Sequence, residues 1–156
     1  MTKWIRYTLP VTAIMSTASP AYSMQYLSIE EAQKLAFPSA RFVEVQPGRV
    51  WKAEAGGRVA GFFIFDRVIG KHLFIDYTVV LTPGGAVQRV DILQYRESYG
   101  GEIRSPSWLA QFVGKTSGSA LKVNGDIRNI AGATLSSTHV AEGVKRVLAT
   151  YGNRLR

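Results

Sequence analysis

Ala131-Gly132-Ala133-Thr134-Leu135-Ser136-Ser137 sets three hydroxyls among small residues at the start of an amphipathic segment. Downstream, Val140, Val144, Val147, Leu148 and Tyr151 recur on one face at helical spacing. Ser136, Ser137 and Thr138 are residue types that cap a helix N-terminus. A hydroxyl in that setting can hold a phosphate, because the unpaired N–H groups of the first turn and the positive end of the helix dipole face it. Gly132 and Ala133 leave room for a bulky group against the chain. Spacing alone leaves a second reading open, in which Gly-Ala-Thr is a turn and the serines only cap the helix.

Other candidate groups are sparse. His72 and His139 stand apart, without a His-Glu-x-x-His pattern or clustered carboxylates, so no metal site is expected. His139 lies near Ser136 and Ser137, but no Gly-x-Ser-x-Gly elbow accompanies them and hydrolase chemistry is not expected. Asp66, Asp76 and Asp91 sit singly in strand-like segments and read as solvated charges. The chain shows no self-contained catalytic constellation.

The chain has no cysteine, which excludes disulfides, thiolate metal sites and c-type haem attachment. Any redox role therefore needs a cofactor held by other means. Residues 1–23 read as an export signal: Lys3 and Arg6 are basic, Tyr7 to Met15 is apolar, and Ala21-Tyr22-Ser23 is a small-residue cleavage site. A retained N-terminal anchor is the alternative. The remainder, 24–156, is one domain in a periplasmic or otherwise extracytoplasmic setting. Residues 1–23 hold two cations and no acid, so their removal takes the net charge from +8 to +6. The cations are scattered, with no run longer than Lys145-Arg146. With export, no nucleic-acid partner is expected; an anionic lipid or an acidic protein fits better.

The elements that must position the hydroxyls read as follows. Ser28-Ile29-Glu30-Glu31 is a capping box opening a helix through Ala36, which Pro38 ends. Strands are predicted over Arg41–Gln46, Val50–Ala53, Val59–Asp66, Lys71–Thr82 and Val87–Gln94, with turns at Pro47-Gly48, Gly56-Gly57 and Pro83-Gly84-Gly85. Tyr95 to Ile103 is a polar loop. Ser105 caps a short helix with Pro106 at its first position, and Trp108 in it reads as core. Ile127–Ile130 is a short extended segment before the final helix. Strands in the middle and helices near the ends predict an α+β fold with an antiparallel sheet and short flanking helices.

Gly132-Ala133-Thr134-Leu135-Ser136-Ser137 resembles the flavinylation motif of FMN-binding domains. Those domains occur in sodium-pumping NADH:quinone reductases, in Rnf complexes and in small periplasmic flavoproteins. Tyr95–Ile103 resembles the Glu- and Gly-containing segment that these domains place near the flavin. Ser107–Lys115 resembles the helix and Phe-x-Gly-Lys turn that follows it, and Tyr26–Ala32 with Phe37-Pro38 resembles the opening of the stand-alone members.

The resemblance implies FMN as cofactor, joined through a phosphoester to Thr134 by a flavin transferase that uses FAD. It implies that Gly132, Ala133, Leu135, Ser136 and Ser137 surround the phosphate and ribityl chain, and that Glu97, Ser98, Gly100 and Gly101 approach the isoalloxazine. The implied function is an electron carrier or reductase-system subunit in a membrane-associated chain, with a membrane redox protein as electron donor or acceptor. Arg128 and Ala131 stand where the family motif has an aspartate and a Ser or Thr; the nearest aspartate is Asp126, eight residues before Thr134. These departures leave an exported, non-flavinylated binding or assembly module as the alternative.

Overall fold

Phe62, Ile64 and Val68 alternate with Phe63 and Phe65 along Arg58–Ile69 (β4), so this strand is apolar on both sides and must be covered on both. In the computed structural model, which describes residues 24–155, it lies inside a six-stranded antiparallel sheet. The other strands are Met24–Gln25 (β1), Arg41–Gln46 (β2), Val50–Ala55 (β3), Phe74–Leu81 (β5) and Val87–Tyr95 (β6). Their order is β1-β6-β5-β4-β3-β2, so β2 to β6 form a meander and β1 closes the far edge beside β6. The predicted export signal lies outside the described residues.

Each face has its own cover. Ile29–Ala36 (α1) packs on one through Ala32, against Phe63, Val80 and Leu93. Its capping box forms as predicted: Glu31 N–H donates to Ser28 Oγ at 3.1 Å and Ser28 N–H to Glu31 Oε2 at 2.7 Å. Thr134–Tyr151 (α3) covers the other face with Val140, Val144, Val147 and Leu148, against Ile64, Val68, Ile75 and Tyr77. Between β6 and α3 come a 3₁₀ turn at Gly101–Arg104, the short helix Pro106–Leu109 (α2) and a second 3₁₀ turn at Ala110–Phe112. The architecture is α+β.

Several sequence expectations are corrected. The strand predicted from Lys71 begins at Phe74, because the His72 and Leu73 N–H groups turn to the Glu97 carboxylate instead of the sheet. β4 runs on to Ile69, since Arg67, Val68 and Ile69 pair with Asp76, Ile75 and Phe74. Ile127–Ile130, read as extended, joins no strand of the sheet and holds one isolated bridge, Val123 to Ile127. Ser105 sits at the N-cap of α2 without capping it through its side chain, and its Oγ meets Ser107 Oγ at 2.9 Å.

The three strand aspartates are not solvated. Asp66, Asp76 and Asp91 are buried, because both sheet faces are covered, and each is paired with arginine. Asp66 accepts from Tyr77 Oη at 2.7 Å, Arg49 at 2.8 Å and Arg146 of α3 at 2.6 Å. At Asp76 burial pushes the carboxyl upward, but Arg96 and Arg67 outweigh it and hold it below the usual carboxylate range.

α3 approaches the sheet at Gly143. A Cβ there would collide with the buried Tyr77 hydroxyl and come within 2.8 Å of Val68 Cγ1. Helix propensity favours Gly143→Ala by about 1 kcal/mol, whereas overpacking costs about 1–3 kcal/mol. Tyr77 is held by Asp66 and cannot retreat, so the packing cost prevails. Gly143→Ala is expected to lower the urea midpoint; an increase would mean that α3 shifts without cost.

Candidate functional site

The N-terminus of α3 is built by a turn that local cap chemistry did not foretell. Gly132 takes φ +78°, a left-handed conformation that favours glycine, and Ala133 becomes the N-cap. Helix therefore starts at Thr134, and Ser136, Ser137 and Thr138 lie inside it rather than capping it. Ser137 Oγ instead donates back to Ala133 O at 2.6 Å. No side chain caps the helix, so the N–H groups of its first turn are open to an anion.

These residues form one wall of a cavity of about 570 Å³. Gly132, Ala133, Thr134, Leu135 and Ser136 line it from α3, and Lys71 and His72 line it from the β4–β5 turn. Tyr95, Glu97, Ser98 and Tyr99 complete it from the end of β6. Thus seven of the residues singled out by sequence meet around one space, though Thr134 is nearly forty residues from Glu97. Three take other places. Ser137 is fully buried beneath the helix turn. Gly100 and Gly101 line an adjoining cleft that shares Ser98 and Tyr99 with the cavity. At Gly100 (φ +88°) a Cβ would collide with Ala133 and come within 2.7 Å of the Tyr95 hydroxyl, so this glycine lets the loop close onto the α3 turn.

Of the four hydroxyl residues that open α3, Thr134 alone is exposed. Its Oγ1 accepts from Asn129 Nδ2 at 3.1 Å. Ser136 is buried, with its Oγ 3.2 Å from Tyr95 Oη, and Tyr95 Oη also bonds Tyr99 O. Leu135 (49% exposed) and Tyr99 (84% exposed) present apolar surface beside the opening. Glu97 shapes the opposite side by accepting from His72 N–H at 2.5 Å and Leu73 N–H at 2.7 Å. Burial lifts its carboxyl, but these backbone donors outweigh that and keep it below the ordinary range. Tyr95 and Tyr99 lie in the segment that the resemblance puts near the flavin but were not singled out within it; Lys71, His72 and Asn129 were missed, and for His72 and Lys71 no local signal pointed here.

His139 reaches past the site. Its Nδ1 lies 2.6 Å from Ile69 O and 3.0 Å from Gly70 O. Both neighbours are acceptors, so Nδ1 carries the hydrogen and pins α3 to the end of β4. Trp108 is core, as expected, in an edge-on contact with Phe112 at 5.2 Å. Its Nε1 donates to Arg128 O at 2.8 Å, and Arg128 N–H donates to Gln111 Oε1 at 2.7 Å.

Asp126 does not approach Thr134. It ties its own turn, accepting from Lys122 N–H at 2.7 Å, Leu121 N–H at 3.0 Å and Lys115 Nζ at 3.0 Å. The Lys122 N–H, then Lys115 and Leu121, bring its carboxyl from 3.8 down to about 2. A depressed pKa stabilises the fold above the unfolded value and ceases to do so as pH falls through the folded one. Asp126→Asn should therefore show a lower urea midpoint than wild type at pH 7, with the gap closing between pH 3.8 and about 2. An unchanged gap at pH 2 would assign it to packing.

A cavity of this size lies within the roughly 300–1,000 Å³ of small-molecule sites. It joins the uncapped first turn of α3 and the exposed Thr134 to an apolar rim, a combination suited to a phosphate-bearing aromatic group. A separate cleft of about 410 Å³ near Leu35, Arg104 and Val113 shares no lining residue with it. No curated protein matches the chain. Residues 70–149 match the family model of the FMN-binding domain, a stretch that runs from the β4–β5 turn into α3 and contains every residue lining the cavity. The chain belongs to the FMN-binding domain family, and FMN is its cofactor.

Proposed function

We propose that the protein is an exported electron-transfer flavoprotein whose FMN is joined covalently to Thr134. The observation that carries this reading is that Thr134, exposed at the uncapped N-terminus of α3, lines the cavity. In maturation, Thr134 Oγ forms a bond to the FMN phosphorus of FAD while the bond to AMP breaks. The hydroxyl proton passes to a base of the flavin transferase, and AMP leaves. Bound FMN supplies a group that exchanges electrons one or two at a time. The chain's own residues bind and orient it: the first-turn N–H groups hold the phosphate, and Leu135 and Tyr99 offer apolar contact. The fixed negative charge of Glu97 disfavours negative charge in the cavity and so lowers the tendency to gain electrons.

The export signal read in residues 1–23 supports a place outside the cytoplasm, and a membrane redox protein is the proposed electron donor or acceptor. The test is intact mass of the exported protein, denatured after co-expression with a flavin transferase. An FMN-sized increment on the peptide holding Thr134 supports the reading. An unmodified mass, where a known member is modified, overturns covalent attachment.

A further inference from the structure

Among the described residues, Asn129 alone has a side chain bonded to the Thr134 hydroxyl. We propose that Asn129 is the positioning residue that prepares Thr134 to receive the flavin phosphate; this rests on Thr134 being the acceptor. At the first position of α3 an exposed threonine has more than one χ1 well open to it. The 3.1 Å bond from Asn129 Nδ2 selects one of them. Because Thr134 Oγ1 is the acceptor, its own hydrogen remains available to a base. The amide has a second N–H, which can donate to a phosphate oxygen as negative charge gathers there.

For this to work the amide must itself be held, and it is. Arg128, the residue before it, is fixed on both sides: its N–H donates to Gln111 and its carbonyl accepts from Trp108. Beyond it Ile130 is buried and its carbonyl accepts from Ala133 N–H at 3.0 Å. The segment lacks regular secondary structure, so these contacts supply its rigidity. Arg128 cannot take the role, since its guanidinium is directed to Ser107 O at 3.3 Å, and Ala131 has no polar group. A neutral donor also suits the chemistry, because a carboxylate here would repel the FAD phosphates.

The experiment compares wild type, Asn129→Ala and Asn129→Asp with purified flavin transferase, FAD and Mg²⁺. Flavin incorporation is followed by intact mass, and the Thr134 χ1 couplings are measured by NMR on the flavin-free protein. Wild type should show a single χ1 rotamer and steady incorporation. Asn129→Ala should show an averaged rotamer and incorporation slowed at least tenfold, with a melting temperature near wild type. Asn129→Asp, which can only accept a hydrogen bond, should be slowed at least as much. Incorporation into Asn129→Ala within twofold of a modified wild type would overturn the role of Asn129. A wild type that takes up no flavin would overturn the attachment itself, and this role with it.

Discussion

Thr134→Ala is expected to abolish the FMN-sized mass increment altogether while leaving the fold intact. Serine and threonine hydroxyls surround the position, but they are poor substitutes. Ser136 is buried beside Tyr95, and Ser137 is buried and donates to Ala133 O. Thr134 sits exposed at the end of its helix, so truncation loses one bond to Asn129 and should change stability by no more than about 0.5 kcal/mol. Thr134→Ser keeps the oxygen but loses the methyl that restricts χ1, and should be modified more slowly. A full increment in Thr134→Ala, mapped to another residue, would sink the assignment. Loss of the increment together with loss of the folded state would be seen as a collapsed urea transition, and that outcome also contradicts the expectation.

The second large effect is on stability. Asp66→Ala should lower the unfolding free energy by about 2–4 kcal/mol, toward the lower part of what breaking a buried ion pair costs. The reduction from the full range has a reason: the Arg49 and Arg146 side chains are 43% and 52% exposed and can return to water. The Tyr77 hydroxyl has no such escape, being fully buried with Asp66 as its acceptor. Burial raises the Tyr77 hydroxyl far above its normal titration range, with Asp66 adding to it, so it remains a neutral donor that needs a partner. Asp66→Asn keeps an acceptor for Tyr77 and should cost less. Because Arg146 ties α3 to β4 through this carboxylate, Asp66→Ala should also slow flavin attachment at the other end of the helix. Urea titrations decide the matter; a difference below 0.5 kcal/mol between Asp66→Ala and wild type would show the network to be dispensable.

Much of the fold was legible in the chain because its signals are local. The Ser28 and Glu31 capping box, the Pro83-Gly84-Gly85 hairpin turn and the apolar face from Val140 to Leu148 each involve residues within a few positions of one another. The Gly-Ala-Thr-Leu-Ser-Ser stretch and residues 95–103 were legible through their resemblance to the FMN-binding domain family, which the family match bears out. Errors arose where partners come from elsewhere. Asp66, Asp76 and Asp91 read as solvated because nothing near them in sequence says that both sheet faces are covered. Lys71 to Leu73 read as strand because the Glu97 carboxylate that diverts them lies over twenty residues away.

By itself the sequence determined most element types and the α+β class through short-range propensity and pattern, and it showed the FMN-binding family through resemblance. The tertiary structure alone decided which of the α3 hydroxyl residues is exposed, where α3 begins, and that Lys71 and His72 share a cavity with Thr134. Those outcomes depend on strand register and on the angle at which α3 lies across the sheet. Both follow from contacts among residues as far apart as Asp66 and Arg146, which no local pattern encodes.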